Sequence, residues 1–127
     1  MASATQADHI RELLTPLLEP GEELRAVGTF QSGGSFAELP KATFFTIRNW
    51  WVGATDRRVI LAKQARLSGK LLEDGVFSVA RENVVLKKDL VFTVLRIKSP
   101  DSKIPKKLKS LPGMGFDKEE FARALSS

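Results

Sequence analysis

Residues 50–62 read WWVGATDRRVILA, and this stretch decides the fold class of the chain. Tryptophan, valine and isoleucine favour the pleated, half-buried surface of a β-strand, and a short polar step between two such runs is typical of a hairpin. We therefore predict one strand over residues 50–54, a tight turn at Thr55 and Asp56, and a second strand over residues 57–63.

The same hairpin carries a resemblance to a known family. The run Ala-Thr-Asp-Arg-Arg-Val-Ile-Leu is similar to a hairpin of bacterial pleckstrin-homology-like and GRAM-like domains, and the resemblance is centred on residues 53–61. The whole chain contains about seven strand-like segments followed by one helix. The resemblance implies a mainly β fold with helices, in which a pleckstrin-homology-like barrel of antiparallel strands forms two near-orthogonal sheets closed by the C-terminal helix.

Helices are predicted near both ends of the chain. Residues 5–18 place apolar side chains at intervals of three and four, and Pro16 predicts that this helix ends or kinks near Leu14. Near the other end, Asp117 and Glu120 form a capping box. We expect a single domain over residues 1–127, with a helical extension over 1–20 and a core over 22–125.

The segments between the helices alternate between strand and loop patterns. Residues 19–22 are interpreted as a turn, and residues 31–40 and 66–75 as loops, because glycine or proline punctuates them. Residues 42–47 are apolar without alternation, which leaves a short helix and an extra strand both open. The remaining predicted strands cover residues 24–31, 76–80, 84–88, 91–98 and 103–109.

The charge of the chain is unevenly placed along its length. The net charge is +5, with a net −1 over residues 1–60 and +6 over residues 61–127. Such asymmetry favours an anionic partner, although lysines also keep exposed sheet edges soluble. The absence of cysteine agrees with a reducing compartment, so we expect a cytoplasmic protein that is peripheral to the membrane if its basic surface binds lipid.

The sequence predicts no enzyme, no metal site, no cofactor and no small-molecule substrate. His9 is the one histidine of the chain and cysteine is absent, so the sequence indicates neither a Ser-His-Asp set nor a zinc site. Ser68-Gly69-Lys70 looks like part of a phosphate-binding loop, but Leu71 stands where that motif needs serine or threonine.

Basic residues supply the candidate site for an anion or an anionic lipid. The loop between the first two strands, which holds the anion in membrane-binding relatives, has one lysine and one glutamate here, so the usual inositol-phosphate site is not expected. Nucleic acid is not expected either, because no alternation of aromatic and basic side chains is visible. The candidate residues are Arg57, Lys63, Arg66, Lys70, Lys87, Lys88, Lys103 and Lys107.

The neighbours Arg57 and Arg58 point to opposite faces of their strand, because side chains alternate along β-structure. One arginine must therefore be half buried. It either pairs with Asp56 or a loop carbonyl and stabilises the hairpin, or presents its guanidinium to a phosphate.

Apolar residues supply the candidate site for another protein. The N-terminal helix needs a surface to pack on, and we weigh a second copy of the chain against its own sheet. The aromatic pairs either pack in the core or form an exposed patch. The candidates are Ile10, Leu13, Leu14, Leu17, Phe44, Phe45, Trp50 and Trp51. We predict a non-enzymatic binding or assembly module that binds another protein or itself, as a homo-oligomer. The alternative is a peripheral membrane adaptor that binds anionic lipid through its basic face.

Overall fold

The computed structural model describes residues 2–32, 48–64, 71–89, 92–101, 103–110 and 118–126. Within these ranges the chain is mainly β. Helix α1 covers Ala2–Leu14 and helix α2 covers Lys118–Ser126, and short 3₁₀ turns cover Thr15–Leu17 and Arg81–Asn83. The strands are β1 (Leu24–Ser32), β2 (Arg48–Thr55), β3 (Arg58–Gln64), β4 (Leu71–Ala80), β5 (Val84–Asp89), β6 (Phe92–Ile97) and β7 (Lys107–Ser110).

The seven described strands form one antiparallel sheet in the order β4-β3-β2-β1-β7-β6-β5. The prediction of a mainly β fold of about seven antiparallel strands is confirmed. Within the described residues, the sheet is not closed into a barrel, and the pairing of β1 with β7 at Gln31 and Lys109 joins both halves into one sheet. The sheet remains open between β4 and β5, its two edge strands. The two edge strands meet at one corner, because the three-residue turn Arg81–Asn83 connects the end of β4 to the start of β5.

The predicted central hairpin is confirmed, with its turn one residue later than expected. Asp56 and Arg57 form the turn, and β3 begins at Arg58. The reason is the side chain of Thr55, whose Oγ1 accepts hydrogen bonds from the backbone N–H groups of Arg57 at 3.0 Å and Arg58 at 2.9 Å. This local cap keeps Thr55 in β2 and places the reversal of the chain after it.

Each face of the sheet carries one buried apolar cluster. One face forms the main core, which includes Trp50 and Phe30 and packs against Phe121 of α2. The opposite face carries Trp51 and packs against Ile10 and Leu14 of α1. The two adjacent tryptophans therefore enter two different clusters, as the alternation of side chains along a strand requires.

Helix α1 packs on the sheet because β2 has no side chain at Gly53. A Cβ atom built on Gly53 would lie 2.8 Å from the Cδ1 atoms of both Leu14 and Leu24. The glycine thus makes room for Leu14, which is fully buried. Of the two alternatives that the sequence left open for the N-terminal helix, the structure has the helix folded against its own sheet.

The predicted end of the first helix is confirmed. Helix α1 ends at Leu14, and the chain continues as a 3₁₀ turn with Pro16 in its first turn, where the missing N–H of proline breaks no hydrogen bond. A β-turn follows at residues 19–22, in which the N–H of Glu22 donates to Glu19 O at 3.0 Å. Gly21 has φ = 80°, the left-handed conformation that the third residue of a type II turn requires.

Helix α2 is fastened at both ends by arginines. Arg11 of α1 donates to Glu120 Oε1 at 3.1 Å and to Leu24 O of β1 at 3.1 Å. At the other end, Arg81 donates to the carbonyls of Ala124 at 2.8 Å and Leu125 at 3.1 Å. Backbone carbonyls at a helix C-terminus lack partners within the helix, so a cation there is stabilising. Helix α2 therefore reaches from β1 to the corner between β4 and β5.

Two predicted segments need correction, and several lie outside the described residues. Strand β4 already begins at Leu71, within the stretch predicted as a loop, because it pairs with Gln64 of β3. Strand β7 begins only at Lys107, since Lys103 and Ile104 form a turn on Asp101. The predictions for residues 33–47, 65–70 and 111–117 lie outside the described part, which includes the proposed N-cap at Asp117.

Candidate binding groove

A groove of about 610 Å³ lies at one end of β5, β6 and β7, beside the turn Arg81–Asn83. Its apolar lining comes from Val85 and Ile97, and its polar lining includes Glu82 and Asn83. The remaining lining residues are all cations: Lys87, Arg96, Lys98, Lys106 and Lys107. With five cations and one carboxylate, the lining has a net charge of +4.

The register of the strands brings these cations together. Leu95 of β6 lies opposite Leu86 of β5 and Leu108 of β7, and these three side chains face the main core. One residue further along, Arg96 lies opposite both Val85 and Lys107 on the outer face. Directly opposed like charges destabilise an antiparallel pair. The opposition of Arg96 and Lys107 therefore destabilises the sheet by itself, and a bound anion would relieve the repulsion.

The groove cations have no carboxylate partners within the described residues. The four ion pairs found there involve Arg11, Arg25, Arg57 and Arg58, none of which lines the groove. Val85 is 49% exposed and is the exposed large hydrophobic side chain of the described part. The groove thus offers both uncompensated positive charge and an apolar floor to a ligand.

Only part of the predicted anion site lies in this groove. Lys87 and Lys107 line it, whereas Lys103 is exposed in the preceding turn. Lys63 lies on the other half of the sheet, with its Nζ 5.4 Å from the ring centre of Trp50. Arg57 pairs with Glu19 at 3.5 Å. Arg66, Lys70 and the side chain of Lys88 lie outside the described residues.

Sequence reasoning missed Arg96, which lies between Val85 and Lys107 in the groove, while Lys98 and Lys106 belong to the basic cluster of the second half but not to the candidate residues. The available signal was the period of two along β6, where Arg96 interrupts an apolar run on the face opposite Leu95. The strand register that places Arg96 beside Lys107 could not be predicted from the sequence.

Most of the predicted protein-interaction residues pack inside the fold. Ile10, Leu14, Trp50 and Trp51 are buried, the last two with exposures of 2% and 7%. The partly buried Leu13 and Leu17 pack against the α1 side of the sheet. Phe44 and Phe45 lie outside the described residues.

Arg58, rather than Arg57, is the half-buried arginine, and its role is structural. Its Nε and Nη2 donate to the two carboxylate oxygens of Glu22, and its Nη2 also donates to Leu17 O at 3.0 Å. The alternative in which one arginine stabilises the hairpin region is therefore the one observed. The partner is Glu22 and a loop carbonyl, not Asp56.

Glu22 is held in its charged form by this network. The hydrogen bond from Arg58 is the main cause that lowers the pKa of Glu22 from 4.5 to about 2. Burial of the carboxylate opposes the shift, while the backbone N–H of Glu19 and the hydroxyl of Thr55 support it. The same pairing raises the pKa of Arg58, so both groups stay ionised across the physiological range.

No group of three or more histidine, aspartate or glutamate side chains within the described residues is arranged to hold a metal ion. His9 is exposed on α1, with its ring 6.4 Å from that of Trp51 in an edge-on arrangement. Within the same residues, no helix combines the length and the apolar character needed to cross a membrane.

Neither the protein-family models nor the curated proteins gave a match to this chain. Among solved structures, the chain is similar to the hSac2 domain from the human phosphoinositide phosphatase Sac2. The TM-score is 0.54 and the sequence identity 12%, over 93% of this chain and 77% of the other. At that identity the likeness concerns the fold alone: a mainly β architecture.

Proposed function

We propose that this chain is a non-enzymatic binding module that holds an acidic segment of a partner protein in the groove of β5, β6 and β7. The observation that carries the proposal is the set of five cations without carboxylate partners in the described part, arranged around an apolar floor. A volume of 610 Å³ is in the range of ligand sites, which is about 300–1,000 Å³. A concave site suits an inserted chain better than a flat surface.

The burial of the predicted protein-interaction residues also favours the groove as the binding site. Ile10, Leu14, Trp50 and Trp51 lie inside the fold and are not exposed to a partner. Ile10 and Leu14 contact the chain's own sheet, so these two residues of the N-terminal helix are not available for self-association. We also propose that the seven-stranded sheet is an open form of the pleckstrin-homology-like architecture of the family resemblance. The continuous strand order and the packing of α2 against the main core support that correspondence.

Binding of fluorescently labelled poly-L-glutamate, measured by anisotropy, tests the proposal. The double variant Arg96→Gln/Lys107→Gln should bind roughly tenfold more weakly, because it removes two ion contacts of up to ~1 kcal/mol each. The matched control is Lys103→Gln/Arg123→Gln, which removes the same charge at exposed sites away from the groove. Equal weakening in both double variants would show attraction by net charge alone and would refute the groove as the site.

An anionic membrane surface is the second candidate, favoured by the exposed Val85 among the cations. The similar solved domain belongs to a phosphoinositide phosphatase, and phosphoinositides are anionic lipids. Each cation near an anionic leaflet contributes about 1 kcal/mol. Co-sedimentation with vesicles containing phosphatidylserine should then be weak and should decrease as salt rises. Salt-insensitive binding that selects one headgroup would contradict this reading of a diffuse basic surface.

A further inference from the structure

Within the described residues, strand β5 pairs with β6 on one side and has no partner strand on the other. The N–H of Lys98 donates to Asn83 O at 2.8 Å, and these two residues are directly opposite in the register that continues into β5 and β6. In an antiparallel pair, residues that face the neighbouring strand alternate with residues that face away. The backbones of Val85 and Lys87 therefore face β6, while those of Val84, Leu86 and Lys88 face the edge. Among the described residues, the N–H of Val84 already donates to Arg81 O, and no hydrogen bond is found to the edge groups of Leu86 and Lys88.

The same corner also exposes part of the main core. Three apolar side chains are packed against that core while remaining only partly buried. They are Phe77 of β4, Leu86 of β5 and Leu125 of α2. These elements meet at the corner, since Arg81 follows β4, precedes β5 and holds the last carbonyls of α2. An added strand along β5 would cover apolar surface on its inner side.

A strand added along β5 would need different side chains on its two faces. On the inner face, Val84 and Leu86 belong to or contact the core. On the outer face, Val85 and Lys87 line the groove together with Arg96. Since side chains alternate along an extended segment, a complementary strand has apolar residues at one set of alternate positions and acidic residues at the other. The lysines also discourage pairing with a basic strand, which makes the edge selective.

We propose that the partner's acidic segment binds as an extra β-strand on the free edge of β5, with alternating acidic and apolar residues. This inference rests on the proposed function and specifies how the groove is used. The acidic side chains of the added strand lie on the outer face beside Val85 and Lys87 of the groove, and its apolar side chains cover Leu86 beside the opening between β4 and β5. Backbone hydrogen bonds to the C=O of Val84 and to Leu86 and Lys88 set its register.

A short labelled peptide of alternating glutamate and valine is the probe, titrated into the full chain. Two further peptides carry N-methyl groups on all valines or on all glutamates, which removes one or the other alternate set of N–H donors at constant charge. Only one of the two alternate sets of peptide N–H donors faces β5. Methylating that set removes two or three hydrogen bonds, so that peptide should lose about tenfold or more in affinity. The other methylated peptide should lose much less. Loss on methylating valine indicates an antiparallel added strand, because residues opposite Leu86 then share its inner face. Loss on methylating glutamate indicates a parallel one.

Hydrogen exchange supplies an independent readout on the same complex. The amides of Leu86 and Lys88 should become protected when the parent peptide binds, whereas those of Val85 and Lys87 already face β6 and that of Val84 already donates to Arg81 O. Equal affinities of the two methylated peptides, together with unchanged exchange at these amides, would overturn strand addition while leaving the acidic-partner function intact. If neither the parent peptide nor poly-L-glutamate binds, and vesicles containing phosphatidylserine do, both proposals fail in favour of the membrane.

Discussion

Arg58 donates from Nε to Glu22 Oε2 and from Nη2 to Glu22 Oε1, each at 2.9 Å. The carboxylate is fully buried, and Glu22 also accepts from Glu19 N–H and from the Thr55 hydroxyl. This pair links the turn before β1 to the hairpin of β2 and β3. It therefore joins segments that are 36 residues apart in the chain.

The first prediction concerns acid stability. Because the folded pKa of Glu22 is depressed from 4.5 to about 2, its ionisation stabilises the fold fully above pH 4.5. That contribution is lost as the pH falls from 4.5 towards 2. Glu22→Gln should be less stable at neutral pH, by about 3 kcal/mol or more, because the buried Arg58 loses its counter-charge. Denaturant unfolding as a function of pH measures both effects.

The matched control for this variant is Glu23→Gln at the adjacent, exposed carboxylate. The difference in unfolding free energy between the original chain and Glu22→Gln should shrink between pH 4.5 and 2. A constant difference over that interval would show that the pairing with Arg58 does not depend on the charge of Glu22.

The second prediction concerns the packing of α1 on Gly53. Gly53→Ala places a methyl group 2.8 Å from the Cδ1 atoms of Leu14 and Leu24, so it should destabilise the fold by about 1–3 kcal/mol through overpacking. In a Leu14→Ala background, the same substitution should cost less because part of the space is free. Thermal unfolding of the four chains gives the coupling energy. Additive effects would mean that Leu14 does not occupy the space above Gly53.

The third prediction concerns α2. Phe121 is fully buried, with its ring 5.8 Å from that of Phe30 in an edge-on arrangement. Phe121→Ala should reduce the unfolding free energy by about 3 kcal/mol or more, because a buried aromatic leaves a cavity. Arg123→Ala on the exposed side of the same helix is the control. An unchanged melting curve for Phe121→Ala would mean that α2 does not cover the main core.

The fourth prediction separates intramolecular packing of α1 from self-association. Ile10 is 2% exposed against the chain's own sheet, so Ile10→Ala should destabilise the fold by about 2–5 kcal/mol. Its mass by light scattering should equal that of the original chain and of the exposed control Glu12→Ala. A variant that dissociates an oligomer without loss of stability would place α1 on a second subunit instead.

The sequence predicted those elements whose signals are local. The hairpin, the end of α1 at Leu14 and the turn at Gly21 each depend on a few neighbouring residues, and each is present. The start of β4 was missed because its structure depends on contacts with another strand and not on neighbouring residues. Acidic residues and Gly75 give residues 71–75 the composition of a loop, and only pairing with β3 makes them a strand.

The candidate site was partly predictable. Net charge identified the second half of the chain as basic, and Lys87 and Lys107 do line the groove. The position of Arg96 between Val85 and Lys107 depends on strand register, which is set by contacts distant in sequence. Likewise, the sequence predicted that one of Arg57 and Arg58 is half buried and needs a partner, but nothing local identifies Arg58 as that residue or Glu22 as its partner.

The pairing of Gln31 with Lys109, which joins β1 to β7 within the described residues, has a consequence for the order in which the molecule folds. Strands β1 to β4 and β5 to β7 are two chains of consecutive hairpins, each of which forms through contacts close in sequence. The joint between them closes a long loop and is reinforced by the Ser110 hydroxyl, which donates to Thr29 O at 3.1 Å. Loop-closure entropy favours late formation of such a contact. We expect Ser110→Ala to accelerate unfolding with little effect on the folding rate, whereas substitutions in the β2–β3 hairpin slow folding, as stopped-flow kinetics would measure.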